Sequence, residues 1–520
     1  MGAQHGALVR TYDEIRYPYL AHRHTDPDRL ATIARLHGIV SPPVARCRVL
    51  EVGCAVGGNL ASLAMILPSA QFVGFDLSER QIQQGVASIK AAGIGNVALC
   101  AFDIMDVGTS LGTFDYIVAH GVFSWISPDA QEELLALFAR CLAPNGVAYV
   151  SYTTKPGGRE ASAIRDAIIF DLRGIEGPRE RLRRARDYLA FLRESIPDGG
   201  RHGKRFIEEV ALMQSLDDQR LQHDYLGPFH VPVHFEKVVA RAGRHGLWYL
   251  CDAEPALSAD HALAPEAERA RERAPHDLVL AEQHYDFLGN RRFRSTLLCR
   301  RGAPLTRAVD PRLIDEMFVS SRGQPERPVE ELDVHGTQPI TFRTPESDLT
   351  TPHPATKAAL LHLASVAPCS IPFGDLLEAV RARLGASFDE GRDGDDLRSS
   401  LVNGFLGSVA MVTLRTHAPP CVAQAGDRPV ATAWSRQVAL DAARVPSLDH
   451  DMVQLDDVVR RLLPLLDGTR DRSALEIELA AMVERGEVVV QTPNGRPGSP
   501  PPGAMDRVLL ALARSALIVA

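Results

Sequence analysis

The eight cysteines of this 520-residue chain include no C-x-x-C pair. Without such pairs neither a zinc ribbon nor a disulfide framework is expected, and reduced thiols in a cytoplasmic compartment are the simpler reading. No stretch reaches the eighteen or so apolar residues that a membrane span needs. The opening "MGAQHGALVRTYDEIRY" lacks an apolar signal core. The apolar end "RVLLALARSALIVA" is interrupted by Arg507 and Arg514 and reads as a packed amphipathic helix. Positive charge is not in excess: 57 Lys and Arg stand against 65 Asp and Glu, a net charge of −8. That balance argues against a general binder of nucleic acid or anionic membrane. There is no tandem repeat of fixed period. What is present, 45% hydrophobic and 23% charged residues, is typical of globular protein. The length exceeds one ordinary core and predicts two to four domains.

Strand-like and helix-like segments alternate through the first third. "RCRVLEVGCAV" and "NLASLAMIL" are followed by "AQFVGFDLS" and "ERQIQQGVASIKAAG", then by "NVALCAFDIMD" and "FDYIVAHGVFSWI". Ser127 is a candidate N-cap with Pro128 behind it, and "NGVAYVSYTT" makes a fifth strand. Such alternation indicates an α/β fold with a parallel sheet covered by helices on both faces. From Arg159 to Tyr225 the pattern is helical and charged; "LWYLCDAE" and "RRFRSTLLCRR" then read as two last strands delayed by that insertion. We therefore expect 1–45 to form an N-terminal lid and helix, 46–158 the ligand-binding core, and 159–230 a helical insertion serving regulation or dimerisation. Residues 231–303 would complete the sheet. Residues 304–352, rich in proline, read as a linker, and 353–520 as a winged-helix-like α+β region. The segment "NGRPGSPPPGA" reads as a flexible loop.

The turn after the first strand runs Glu51, Val52, Gly53, Cys54, Ala55, Val56, Gly57, Gly58, Asn59. Glycines there let a ligand approach the backbone. A dinucleotide fingerprint leaves the helix start free for pyrophosphate, whereas Glu51 would repel phosphate and suits a ligand bearing an ammonium and a sulfonium. Asp76 ends the second strand, where a carboxylate accepts from both ribose hydroxyls, a feature compatible with NAD as well as with a sulfonium-bearing nucleoside. Asp103 follows the third strand and faces an adenine amine, with Leu77 and Ile104 against the faces of the base.

Together "VLEVGCAVGG", "GFDLS" and "AFDIMD" resemble class I S-adenosylmethionine (SAM)-dependent methyltransferases. "HGVFSWI", "VSYTTKPG", "HDYLGPFHVPVHFEKVVARAGRHGLWYL" and "LLDGTRDRSAL" narrow the resemblance to bacterial enzymes carrying a methyltransferase regulatory domain, the group of the rickettsial-type outer-membrane-protein lysine methyltransferases. It covers nearly the whole chain. It implies a Rossmann-like seven-stranded sheet with a helical insertion and a winged-helix tail, with SAM as cofactor. It further implies cofactor contacts from Tyr12 (a lid), Glu51, Gly53, Cys54, Ala55, Gly57, Asn59, Asp76, Leu77, Gln81, Asp103, Ile104 and His120. Two positions depart from the family pattern: Thr153 stands where it has Asn, and Gly158 where it has an aromatic residue.

Methyl transfer from a sulfonium is an in-line displacement, and orientation alone supplies on the order of 7–11 kcal/mol. A lysine acceptor must first lose a proton, at a cost of roughly 4–5 kcal/mol at pH 7; a sulfonium and a dry pocket both reduce that cost. His120 and Tyr152 are the candidate catalytic groups, and Phe123, Trp125 and Tyr152 the candidate walls of an alkylammonium channel. For His120 and Phe123 the plainer alternative is a structural role. Tyr149 neighbours them. Asp115 reads as a strand-start residue, and Arg181, Arg183, Arg184 and Arg186 as a solvated helix face with docking of an acidic partner as the alternative. His22 and His24 lack the further ligands that a metal requires.

The leading expectation is methylation of protein lysines, with a partner such as an outer-membrane or secreted protein before its export. A small molecule or biosynthetic intermediate is the alternative acceptor, favoured by Thr153 and Gly158. A DNA- or protein-binding regulator built on the winged helix is a third reading, which the lack of a basic recognition helix argues against. A homodimer remains open.

Overall fold

The computed structural model describes residues 17–108, 111–196, 203–254, 277–407, 411–489 and 503–519. Tyr12 and most of the "NGRPGSPPPGA" segment lie outside them. α1 (Pro27–Leu36) leads into β1 (Arg48–Val52), α2 (Gly58–Ile66), β2 (Gln71–Asp76), α3 (Glu79–Ala91), β3 (Val97–Ala101), β4 (Phe114–Ala119), α4 (Pro128–Cys141) and β5 (Leu142–Thr153). Local chemistry starts the helices. Ser127 caps α4 by accepting from the Ala130 amide, with Pro128 in the first turn, and Ser78 caps α3 by accepting from Gln81.

After β5 come four helices, α5 (Arg159–Asp171), α6 (Pro178–Ser195), α7 (Gly203–Ser215) and α8 (Asp218–Tyr225). They enclose a core of their own, including Ile164, Leu189, Val210 and Met213. The arginines of α6 are satisfied locally: Arg183 by Glu180 and Asp187, Arg184 by Asp171, Arg186 by Asp218. Then α9 (Phe235–Arg244), β6 (Leu247–Asp252), α10 (Leu278–Leu288) and β7 (Phe293–Arg300) complete a seven-stranded sheet of order β3-β2-β1-β4-β5-β7-β6. β1 to β5 are parallel, and β7 runs antiparallel between β5 and β6. Asp115 takes the Arg48 amide at 2.8 Å, the strand-start role expected of it.

The stretch 304–352 is not the irregular linker that its prolines suggested. β8 (Phe318–Ser320) is the central strand of a small sheet with β12 (Ile371–Pro372) and β13 (Thr413–Arg415), while β9 (Gln324–Pro325), β10 (Ile340–Arg343) and β11 (Asp348–Thr351) form another. Long-range pairing there supplies the backbone partners that local sequence does not announce. Helix α11 (Pro354–Val366) lies against β9 of the second sheet and against the two helices that follow, α12 (Phe373–Leu384) and α13 (Glu390–Gly407), which pack on the first. The last part comprises α14 (Ala433–Ala439), a hairpin of β14 (Arg444–Pro446) and β15 (Met452–Gln454), α15 (Asp457–Leu462), α16 (Arg472–Glu484) and α17 (Ala504–Arg514). α17 buries Leu509 and Leu512 as an amphipathic helix should. No helix among the described residues is long and apolar enough to cross a membrane.

One buried cation fastens the sheet edge. Arg294 on β7 is fully enclosed and meets Asp252 at 2.7 Å, Glu282 at 2.8 Å and Asp286 at 2.9 Å, with its guanidinium 3.9 Å from the centre of the Phe235 ring. Removing one partner of such a cluster strands buried charge, at a cost of about 3–5 kcal/mol. Arg294→Met is accordingly expected to lower the unfolding free energy from urea titrations by that amount, and a variant as stable as the parent would contradict the assignment.

Candidate functional site

The turn between β1 and α2 is built by backbone geometry. Gly53 and Gly57 both adopt φ of +71° and Ala55 adopts +48°. A Cβ at Gly53 would stand 2.6 Å from Val122, and one at Gly57 2.7 Å from Leu99. Gly85, in the middle of α3, gave no sequence signal, yet a Cβ there would stand 2.4 Å from the Val56 carbonyl oxygen; its absence lets α3 lie against the turn. The Asp76 carboxylate accepts from the Ala55 amide at 2.9 Å and the Ser78 amide at 3.0 Å, tying the turn to α3. Asp103 accepts from Met105 at 2.9 Å.

Above this turn opens a cavity of about 1500 Å³. Of the residues singled out from sequence, Glu51, Gly53, Cys54, Ala55, Asn59, Asp76, Leu77, Gln81, Asp103, Ile104, His120 and Trp125 line it. Gly57 shapes the turn without lining the cavity. Phe102 and Met105, both half exposed, flank Asp103 there and were not anticipated.

Glu51 is buried, and burial raises its carboxyl pKa to about 8. Its Oε1 accepts from Asn59 Nδ2 at 2.9 Å, while Oε2 has no protein partner. An orphaned acid oxygen at a cavity wall fits a ligand that brings a cationic donor. His120 places Nδ1 2.8 Å from the Tyr149 hydroxyl, and its ring lies 3.9 Å from that of His22. Burial, then His22 and His24, hold its pKa well below the ordinary histidine value, so it is neutral near pH 7 and a weak base. His22 and His24 diverge: the first stacks on His120, and the second meets Glu254 at 2.8 Å.

Two expected wall residues face elsewhere. Tyr152 is fully buried with its hydroxyl 2.8 Å from Thr296 Oγ1, and Phe123 packs beside it at 5.8 Å in the core beneath the sheet. Strand residues alternate faces, so Thr153 reaches the cavity and Tyr152 cannot. Trp125 does line it, donating its indole N–H to the Asp224 carbonyl at 3.0 Å. Near it stand Asp129, Asp217, Arg220 and Asp224; burial raises the Asp224 pKa to about 6. Gly158 also lines the cavity, where a Cβ would stand 2.8 Å from Thr153 Cγ2. The opposite wall comes from afar: Asp441 to Arg444, Met452 and Gln454. Sequence reading missed these because nothing local marks a contact with partners hundreds of residues earlier.

Known proteins agree with this architecture. Residues 50–148 match the family described as methyltransferase domain, residues 217–300 the predicted methyltransferase regulatory domain, and residues 427–517 the PKMT C-terminal winged helix domain. The regulatory match thus falls mainly on α8 to β7, downstream of most of the helical insertion. One uncharacterized protein of Rickettsia prowazekii is 29% identical over 92% of this chain and 87% of its own length. Another from the same organism is 36% identical over 45% of this chain and 93% of its own length. The structure of PKMT2 from Rickettsia typhi in complex with AdoHcy aligns with a TM-score of 0.85 at 27% identity, covering 97% of this chain and all of that one. The chain belongs to the class I SAM-dependent methyltransferases that carry a methyltransferase regulatory domain and a PKMT-type C-terminal winged helix, the family of the rickettsial-type enzymes.

Proposed function

We propose that this methyltransferase modifies lysine side chains of polypeptides. The observation that carries the reading is the cavity itself. At about 1500 Å³ it exceeds the roughly 300–1,000 Å³ of sites for one small ligand, and its lining combines Trp125 with Asp129, Asp217 and Asp224. A carboxylate-rich lining attracts an ammonium, and an indole face holds it by cation–π contact. The name of the Rickettsia typhi relative, PKMT2, supports the same acceptor class.

When bound, SAM supplies an activated methyl group on a positive sulfur. In this reading Glu51 Oε2 receives the ammonium of its amino-acid end, with Gly53, Cys54 and Ala55 presenting backbone. Asp76 serves the ribose, Asp103 and Gln81 the adenine edge, and Leu77 and Ile104 the faces of the base. Asn59 orients Glu51 and His120 closes the inner wall. The depressed basicity of His120 argues against its removing the acceptor proton. That proton leaves toward solvent through the cavity mouth, after burial beside positive charge has lowered the lysine pKa.

The Glu51 assignment has a pH signature. With a pKa of about 8 in the free protein, roughly a tenth of Glu51 is ionised at pH 7. A cationic ligand favours the carboxylate and pulls that pKa down, so binding expels a proton below pH 8. AdoHcy affinity is expected to rise roughly 25- to 50-fold between pH 6 and pH 8. Calorimetry in buffers of differing ionisation enthalpy should register close to one proton released at pH 7, and Glu51→Gln should abolish the release. In the free protein the same raised pKa works against stability at high pH: the contribution is complete below the unfolded value and is lost as pH rises through 8.

Acceptor class is tested by incubating the purified chain with methyl-labelled SAM and lysine-rich polypeptides, alongside small carboxylic acids. Label on lysine is expected, and Trp125→Ala should raise the polypeptide KM by about 2- to 30-fold while leaving AdoHcy affinity unchanged. Label on the small acids alone would transfer the assignment to the small-molecule reading that Thr153 and Gly158 favour.

A further inference from the structure

The hairpin of β14 and β15 presses its turn against α2. Leu448 donates its amide to the Ala516 carbonyl at 2.9 Å, and Asp449 meets Arg322 at 2.6 Å and Arg415 at 3.2 Å. Met452 takes the Ala21 amide on its sulfur at 3.2 Å. Between these anchors His450 is completely buried in the left-handed region, φ +57°. A non-glycine residue held there is strained and persists only where its surroundings demand it. Its ring enters the first domain, with Nε2 2.8 Å from Asn59 Oδ1 and Nδ1 3.1 Å from Ser62 Oγ.

The hydrogens in this cluster can be assigned by elimination. Asn59 Nδ2 donates to Glu51 Oε1 at 2.9 Å and to Thr25 Oγ1 at 3.0 Å; the single Thr25 hydroxyl hydrogen goes to the His22 carbonyl at 2.7 Å rather than to Asn59 Oδ1 at 3.2 Å. Asn59 Oδ1 accepts the His22 amide at 3.0 Å, leaving it one further acceptor direction. His450 must therefore donate from Nε2 and accept the Ser62 hydroxyl at Nδ1. All four positions of the Asn59 amide are then used, and its NH₂ end can point only at Glu51.

We propose that His450 is a positioning residue for the donor site: by saturating Asn59 Oδ1 it locks the amide that holds the Glu51 carboxylate, so that the C-terminal winged helix sets the affinity for the methyl donor. This rests on the reading of Glu51 as the partner of the donor's ammonium. The hub has a second arm, since His22, held by the same Asn59 oxygen, stacks on His120. One histidine from the tail therefore orders both the Glu51 acid and the His120 wall of a site more than 300 residues earlier.

The test uses the full chain and titrates AdoHcy by calorimetry, with steady-state kinetics in SAM. His450→Ala is expected to weaken AdoHcy about five- to tenfold and to raise the KM for SAM equally, with kcat at saturating SAM within about twofold. His450→Gln, whose amide can donate to Asn59, should recover most of the affinity. In an Asn59→Ala background the His450 change should add nothing. His450→Leu, which fills the volume without a donor, is read in place of Ala if Ala fails to fold. Wild-type affinity in the Ala or Leu variant overturns the proposal, as does a Gln variant no better than they are, or an undiminished loss in the Asn59→Ala background. Glu51→Gln separates the two readings: if it binds AdoHcy as the parent does, the donor-site assignment falls, whereas a weakened Glu51→Gln beside an unaffected His450→Ala removes only the coupling.

Discussion

A carboxylic acid buried at the end of a strand is the constraint around which this site is arranged. Glu51 is taken out of water by the sheet and by α2, and it receives one compensating hydrogen bond, from Asn59. Desolvation without a full set of partners favours the neutral acid, which is why its pKa stands near 8. In the proposed reading a cationic ligand supplies what the fold withholds. The glycine turn is fixed by packing as well: positive φ at Gly53 and Gly57 makes the sharp bend, and side chains there would strike Val122 and Leu99.

The rest of the molecule can be read as support for that withheld contact. The parallel strands β1, β2 and β3 end together, delivering Glu51, Asp76 and Asp103 to one rim. The arginine at the far edge, Arg294, gathers three acids from β6 and α10 and ties the last strands to the sheet. At the opposite end Arg415 meets Asp26 at 3.1 Å and Asp449 at 3.2 Å. That second buried cation joins the segment before α1 to the hairpin carrying His450. Both clusters exchange solvation for geometry: buried charges are poor sources of net stability but tolerate few arrangements.

The acceptor side obeys the alternation of β5. Tyr149 and Ser151 face His120, Thr153 reaches the cavity, and Tyr152 turns into the core with Phe123. Where the resemblance expects an aromatic residue, Gly158 is closely packed: a Cβ there would stand 2.8 Å from both Thr153 Cγ2 and the Thr154 carbonyl oxygen. Trp125 and, from the tail, Asp441 to Arg444 line the same cavity. No single domain encloses the substrate's path.

How much of this could be read from the sequence followed from the range of the interactions. The alternation of strands and helices, the Ser127 cap, the glycine turn and the three strand-end acids depend on neighbours within a few residues or on one repeated supersecondary unit, and local pattern reports them. The pairing of β8 with β12 and β13 inside an apparent linker, the inward turn of Tyr152, the close approach at Gly85 and the arrival of His450 at Asn59 depend on partners distant in the chain. No periodicity encodes these, because a buried hydrogen bond across some 390 residues leaves each partner looking locally like any other polar residue. The sequence by itself determined the donor's chemistry, through acids at strand ends. Only the tertiary structure decided which side chains face the cavity and which distant segment holds the first of those acids in place, since that follows from packing and desolvation, properties of the assembled interior.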